Sequence, residues 1–284
     1  MQLDGVLVID KPAGKTSHDV VDRVRDVFKT RKVGHGGTLD PDATGVLLVG
    51  IGRATRLLAY AQAGPKRYRA TARFGVTTST QDSSGDVLKE RPVRLSREVI
   101  EHALASFRGE IDQIPPMVSA VRMGGERLYE KARRGEEVER RPRRVTIHSL
   151  DLVDFDGVDR ATFDVACSSG TYVRTLIADL GETLGCGAHL EDLRRTQAGG
   201  FTDEDAIPLD ELRVEALRPL VDAVGDLPRV EVDAKDAERV AHGQSLDVAN
   251  GPKEGRFVAV VRDGNLLAVY VREGRRWVAD RVLA

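Results

Sequence analysis

The sequence predicts an α+β protein: a mixed, mainly antiparallel sheet with flanking helices, followed by a small β-rich C-terminal module. Three observations carry this prediction. Residues 66–76, KRYRATARFGV, alternate between apolar and charged side chains, as a half-buried strand does. Elsewhere apolar residues recur three and four apart, the period of an amphipathic helix. Beyond the break Gly225-Asp226-Leu227-Pro228, short apolar runs are separated by glycine turns.

In chain order, GVLVID (5–10) reads as a buried strand, ended by a turn with Pro12 and Gly14. Ser17 is the expected N-cap of a helix that buries Val20, Val21, Val24, Val27 and Phe28 and leaves Arg23 and Arg25 outside. Residues 34–45 read as a loop with four glycines, one proline and two aspartates. VLLVGI (46–51) is a second apolar strand, and 53–63 a short helix. In 66–76, Tyr68, Ala70, Ala72 and Phe74 share the inward face. Ser96 caps a helix with Val99, Ile100, Ala103, Leu104 and Phe107 as its stripe. Pro115-Pro116 breaks the chain, and residues 122–144, with Gly124-Gly125, Gly135 and Pro142, suit a mobile insertion. Strands 145–155 and 160–168 pair through Asp156-Gly157. A helix over about 171–184 buries Val173, Leu176, Ile177, Leu180 and Leu184, with Gly185 at its end. The tail reads as strand 230–232, helix 233–242 and three short strands turning at Asp263-Gly264-Asn265 and Glu273-Gly274-Arg275.

At roughly 100–200 residues per domain, 284 residues divide into a larger domain, 1–225, and a small one, 229–284. No apolar run approaches the ~18 residues of a membrane span. The start Met1-Gln2-Leu3-Asp4 lacks the pattern of a secretory signal, so a cytoplasmic location is expected. Cys167 and Cys186 have no close cysteine neighbour, which argues against a disulfide framework and a Cys-type zinc site. Net charge is −2, from 43 basic and 45 acidic residues, so composition alone does not point to nucleic acid. The distribution does more. Residues 122–144 hold nine Arg or Lys against five Glu, among them Arg122, Arg127, Lys131, Arg133 and Arg134. Arg23, Arg25, Lys29, Arg31 and Lys32 form a second cluster. Such patches either contact phosphates or are ordinary solvated faces.

The segment Gly34-His35-Gly36-Gly37-Thr38-Leu39-Asp40-Pro41-Asp42-Ala43-Thr44-Gly45 is the most unusual. Three glycines before Asp40 allow positive φ and close approach of a ligand. Pro41 drives Asp40 into extended backbone. A carboxylate on a stiff, glycine-lined loop suits an attacking or proton-accepting group, or merely caps a turn. Two decoys fail. Gly14-Lys15-Thr16 lacks the glycine that a phosphate-binding loop needs five residues earlier, where Ile9 stands. Asp40-Pro41-Asp42 has no third carboxylate nearby for Mg²⁺, so no metal is expected.

GHGGTLDPDATGVLLVGIGRATRL resembles the catalytic motif of the TruB-type tRNA pseudouridine synthases. VIDKPAGKTSHDVV, KRYRATARFG, IPPMVSAVRMGGERLYEKARRG and CSSGTYVRTLIADLGETLGCGAHLEDLRR are similar to further segments of that family, in its order, over residues 5 to about 200. The tail resembles the PUA-type RNA-binding domain that often ends these proteins. The resemblance implies a pseudouridine synthase fold and isomerisation of uridine 55 in the tRNA T-loop, with the base flipped out. It implies that Asp40 is catalytic, that Tyr68 stacks on the base and takes part in proton removal, and that Tyr172 and Arg174 belong to the active site, the arginine pairing with the aspartate. Leu193 would line the base pocket and His35 accept the flipped nucleotide. The commonest family pattern reads HTGTLD; here Gly36 removes a hydroxyl while Gly37 is kept.

The residue types suit the reaction. A glycosidic bond breaks, uracil turns, and C5 bonds to the sugar; nothing is oxidised, so no cofactor is expected. A neighbouring guanidinium lowers an aspartate pKa by about 1–3 units. Stacking on an aromatic ring supplies about 1–3 kcal/mol per base, comparable with the cost of flipping one. The expected partner is the tRNA T-arm, bound by a monomer without membrane or obligate protein partner, with 122–144 closing as a thumb. Two alternatives stay open: a tRNA-folding protein without essential catalysis, and a guide-RNA-dependent synthase of the same superfamily.

Overall fold

The computed structural model describes residues 3–117, 122–123, 126–127, 134, 138–247, 256–274 and 276–283. Its contacts divide the chain into two compact units, 1–64 with 198–284, and 65–197.

The first unit begins with β1 (Gly5–Lys11) and α1 (Ser17–Phe28), followed by β2 (Val33–Gly36) and β3 (Thr44–Ile51). β3 pairs antiparallel with β1, from Gly5↔Ile51 to Lys11↔Gly45, and with β2, from Val33↔Ile51 to Gly36↔Leu48. Val6, Leu7 and Ile9 are fully buried, each contributing about 1.5–3 kcal/mol. The structure differs from the sequence reading in three places here. Thr16, not Ser17, is the N-cap: its hydroxyl accepts from the Asp19 N–H while the Asp19 carboxylate accepts from the Thr16 N–H. The Thr16 hydroxyl, which also donates to the Asp19 carboxylate, and then the Thr16 N–H hold that carboxyl below its usual range. The start of the glycine loop, 34–36, belongs to strand β2, where glycines at 34 and 36 fit beside Leu58 without a side chain of their own. Residues 53–63 split into a 3-10 turn, Gly52–Arg56, and α2, Leu58–Ala63, parting at Leu57, whose N–H bonds to the Ala54 carbonyl three residues back.

The second unit is built on β4 (Lys66–Phe74), whose burial alternates as its sequence does. A hairpin, β5 (Val76–Thr78) and β6 (Val87–Glu90), follows the positive φ of Gly75. Then come α3 (Arg97–Leu104), capped by Ser96, and β7 (Gly109–Gln113). β8 (Arg122–Met123) pairs with β9 (Glu126–Arg127). β10 (Arg143–Phe155) and β11 (Arg160–Cys167) form the long hairpin, turned where the Asp156 carboxylate accepts from three successive amides. α4 (Val173–Thr183) ends before Gly185 at φ +82. β12 (Ala188–Ala198), not assigned from sequence, completes the order β12-β4-β11-β10-β7. Its charged residues Glu191, Asp192 and Arg194 obscure the alternation of a strand.

The first unit resumes with β13 (Phe201–Thr202) and β14 (Ile207–Pro208), the latter parallel to β1. The tail holds β15 (Arg229–Glu231), α5 (Ala234–Ala241), β16 (Leu246–Asp247), β17 (Phe257–Arg262), β18 (Asn265–Glu273) and β19 (Arg276–Val282), in sheet order β15-β17-β18-β19-β16. Asp263 and Gly264 both have positive φ, the requirement of the tight hairpin between β17 and β18. One face of this sheet packs on α5 through Val240, Val258, Tyr270 and Trp277. The other shares a core with Val6, Ala54, Leu57, Val221 and Val224. The sheets are thus mixed and mainly antiparallel, the α+β class expected.

Candidate active site

Asp40 lies half-buried on the turn between β2 and β3. The residues on both sides of it, Leu39 and Pro41, are anchored. On one side, the Ser17 hydroxyl brackets residue 39, accepting from the Leu39 N–H at 2.9 Å and donating to the Leu39 carbonyl at 3.2 Å. On the other, the fully buried Lys11 ammonium donates to the carbonyls of Pro41 (2.8 Å), Pro12 (2.9 Å) and Lys15 (2.6 Å). Three carbonyls match the three donors of an ammonium, which is how a lysine is tolerated in a core. The Ala43 N–H closes the turn on the Asp40 carbonyl at 3.1 Å. Gly37 and Gly45 at either end have φ of +96 and +98, values that a side chain would strain. The loop therefore holds its carboxylate on a preset backbone. Sequence reading assigned Lys11 no role and gave Ser17 only that of a cap.

His35 sits within β2, opposite Val49, rather than on a loop, and its carbonyl accepts from Gln62. Tyr68 is buried on β4, opposite Val165 of β11, as its inward face predicts. Leu193 is buried on β12. Tyr172 is the N-cap residue of α4, and Arg174 lies in its first turn.

Arg174 is 4% exposed, although its place off the apolar stripe suggests a surface residue. A buried guanidinium needs an anion, and Asp82 is one: Nη1 donates to its carboxylate at 3.1 Å. Burial by itself would raise the Asp82 pKa. Hydrogen bonds from Ser84 and Thr80, and the Arg174 charge, outweigh that and hold the carboxyl below its usual range. Asp82 is thus ionised at neutral pH. The loop that carries it is tied down on both sides. Thr175 donates to Gln81 at 2.8 Å, and Ser83 donates through its hydroxyl to the carbonyls of Leu190 and Glu191 on β12. Asp82 went unassigned in the sequence because it stands in an unremarkable polar turn, 92 residues from its partner.

Of the basic stretch, Arg134 is exposed and paired with Glu126 at 2.7 Å. Arg122 and Arg127 are described by backbone alone, facing each other across β8 and β9. Lys131 and Arg133 lie outside the described residues, as does most of the expected mobile insertion. Among the described residues, no group of three or more His, Cys, Asp or Glu could hold a metal ion, and no helix is long and apolar enough to cross a membrane.

Comparison with known families matches three consecutive stretches. Residues 25–173 fit the TruB family pseudouridylate synthase N-terminal domain. Residues 174–221 fit the tRNA pseudouridylate synthase B C-terminal domain, and 227–284 the tRNA pseudouridine synthase II C-terminal domain. Among curated relatives, the tRNA pseudouridine synthase B of Symbiobacterium thermophilum is 53% identical, covering 85% of this chain and 83% of its own. That of Streptococcus pneumoniae is 42% identical, covering 99% of this chain and 100% of its own. Of solved structures, a Cbf5-Nop10-Gar1 complex matches with a TM-score of 0.77 at 30% identity, over 99% of this chain and 84% of the other.

Proposed function

The chain belongs to the TruB family of tRNA pseudouridine synthases, isomerases that turn a tRNA uridine into pseudouridine, and we propose that it acts at T-loop position 55 through Asp40 on a base flipped out of the loop. The observation that best supports this is the anchoring of residue 40 from both sides. A loop that serves only as a turn has no need of a buried lysine and a buried serine on the two residues that flank one aspartate. Preset backbone is what a reacting carboxylate requires, since its position then costs nothing at the moment of reaction.

In this reading the Asp40 carboxylate engages the uridine as the N1–C1′ bond breaks. Uracil stays bound while it turns, C5 bonds to C1′, the C5 proton leaves and N1 takes up a proton from solvent, so that the product is an isomer. Tyr68 offers the ring on which uracil stacks and takes part in removing that proton. Arg174, its charge retained in a buried site, stabilises the ionised carboxylate of Asp40. Tyr172 and Leu193 line the pocket, and His35 receives the flipped nucleotide. The T-arm is held partly by Arg122, Arg127, Lys131, Arg133 and Arg134. Residues 1–225 form the catalytic domain and 229–284 the small PUA-like domain. The protein works as a cytoplasmic monomer without cofactor, guide RNA or obligate protein partner.

The test is a tRNA transcript incubated with the protein alone and assayed for pseudouridine. Wild type is expected to isomerise it with no other RNA or protein added. Asp40→Asn, which keeps the shape but removes the charge, is expected to retain tRNA binding within a few-fold and to lose isomerisation. Full activity of this variant would overturn the role of Asp40. Inactivity of the wild type on bare transcript would favour a guided enzyme or a tRNA-folding protein.

A further inference from the structure

Gln113, the last residue of β7, is 1% exposed. A buried amide must place both its donor and its acceptor. Here both go to one residue on another element. The Gln113 Oε1 accepts from the Tyr172 N–H at 3.0 Å, and its Nε2 donates to the Tyr172 carbonyl at 3.3 Å. The side chain thus bonds to the Tyr172 backbone as an adjacent strand would. That backbone needs such a partner. Tyr172 is the N-cap of α4 at φ −100 and ψ 104, and no side-chain hydrogen bond caps the helix there. Its carbonyl also accepts the first helical bond, from Leu176 at 3.0 Å. Gln113 therefore fixes the direction in which the chain enters α4, and Arg174 stands two residues along. The clamp is itself held in place. Gln113 pairs with Arg143 in the β7–β10 ladder, and two residues on, the Pro115 carbonyl accepts from Arg140 at 3.0 Å.

We infer that Gln113 is a positioning residue for isomerisation: through the Tyr172 peptide it sets the placement of Tyr172 and Arg174, without touching the substrate. The inference rests on the active-site reading of those two residues. A residue that only filled the core would change stability, with binding and chemistry following the folded fraction together. A positioning residue slows the chemical step while RNA affinity stays, because a misplacement of about 1 Å can cost up to 100-fold in rate.

The experiment compares wild type, Gln113→Leu, Gln113→Glu, Arg174→Lys and the Gln113→Leu/Arg174→Lys double variant. Two quantities are read: the single-turnover rate of pseudouridine formation on a tRNA transcript, and the Kd for that transcript. Leu removes both bonds; Glu keeps the acceptor and the length but sets an oxygen against the Tyr172 carbonyl. Should the Leu variant not fold, Glu decides. The expected result is a rate lower by about 10- to 100-fold at a Kd within about threefold of wild type. The double variant should be no more than about threefold slower than the slower single one, since both changes act through one unit. A wild-type rate in the Gln113 variants with a slow Arg174→Lys would overturn the inference and leave the site reading standing. So would a Kd that rises as much as the rate falls, or penalties that multiply. A fully active Arg174→Lys would remove the site reading, and the inference with it.

Discussion

At the scale of single residues, the buried charges are the informative ones. Lys11 and Arg174 are buried, and each has named partners that offset desolvation. Lys66 is another buried charge. Burial, with the Arg195 charge as a second cause, pushes its pKa down to about 8. An unfolded lysine titrates near about 10.4, so between these values the unfolded chain binds more protons than the native one. Stability should therefore rise with pH across that window, and the cost of a charged Lys66 is fully present below about 8. Denaturant unfolding of wild type and Lys66→Met at pH 7 and pH 10 checks this. The wild type should gain on the variant by about 1–3 kcal/mol over that range. A difference that stays constant would mean that the ammonium is well solvated in the native state. Sequence reading singled out Asp40 by the glycines and proline around it and put Tyr68 on an inward strand face by alternation, while the site role of Tyr68 came from the family resemblance. It assigned no role to Lys11, Asp82 or Gln113, because nothing within a few residues of each reveals its partner.

At the scale of elements, α1 joins stability to the proposed chemistry. Its Thr16–Asp19 capping pair fixes the first turn, and Ser17, the next residue along, holds Leu39 beside Asp40. Thr16→Ala should cost about 1 kcal/mol in unfolding free energy, the usual worth of an N-cap hydroxyl. Because the frayed turn carries Ser17, the single-turnover rate should also fall, by a few-fold, at unchanged tRNA affinity. Thermal unfolding with single-turnover kinetics checks both, and a loss of stability with no change in rate would separate the cap from the loop. The sequence placed this helix correctly by its stripe and its cap one residue late, since Thr16 and Ser17 are both good caps and only the folded turn distinguishes them. β12 was not assigned at all, because charged residues break its alternation.

At the scale of the whole molecule, the tail is more than an appendage. Ala259, Val261, Leu266, Val269 and Leu283 share one core with Val6, Ala54, Leu57, Val221 and Val224. Arg53 reaches the Leu283 carbonyl at 2.5 Å, and the Tyr60 hydroxyl bonds to Asp280. The composition break at 225–228 suggests a module that could be cut away. Ending the chain at residue 225 would instead expose that core, and each uncovered large aliphatic costs about 1.5–3 kcal/mol. The truncated protein should lose several degrees of Tm or fail to accumulate in soluble form. A truncated chain with the Tm of the full one would show that the shared core contributes little.

The sequence by itself determined the α+β class, most helices and strands, the family, and the candidate carboxylate. Periodicity and turn residues report neighbours two to four positions apart, and a long run of motifs in one order identifies the family that carries them. Tertiary structure alone decided which polar side chains could be buried. Lys11 meets Pro41 across 30 positions, Ser17 meets Leu39 across 22, Gln113 meets Tyr172 across 59, and Arg174 meets Asp82 across 92. A buried polar group is stable only where its partner arrives, and for separations of that length the arrival is set by strand register and helix packing.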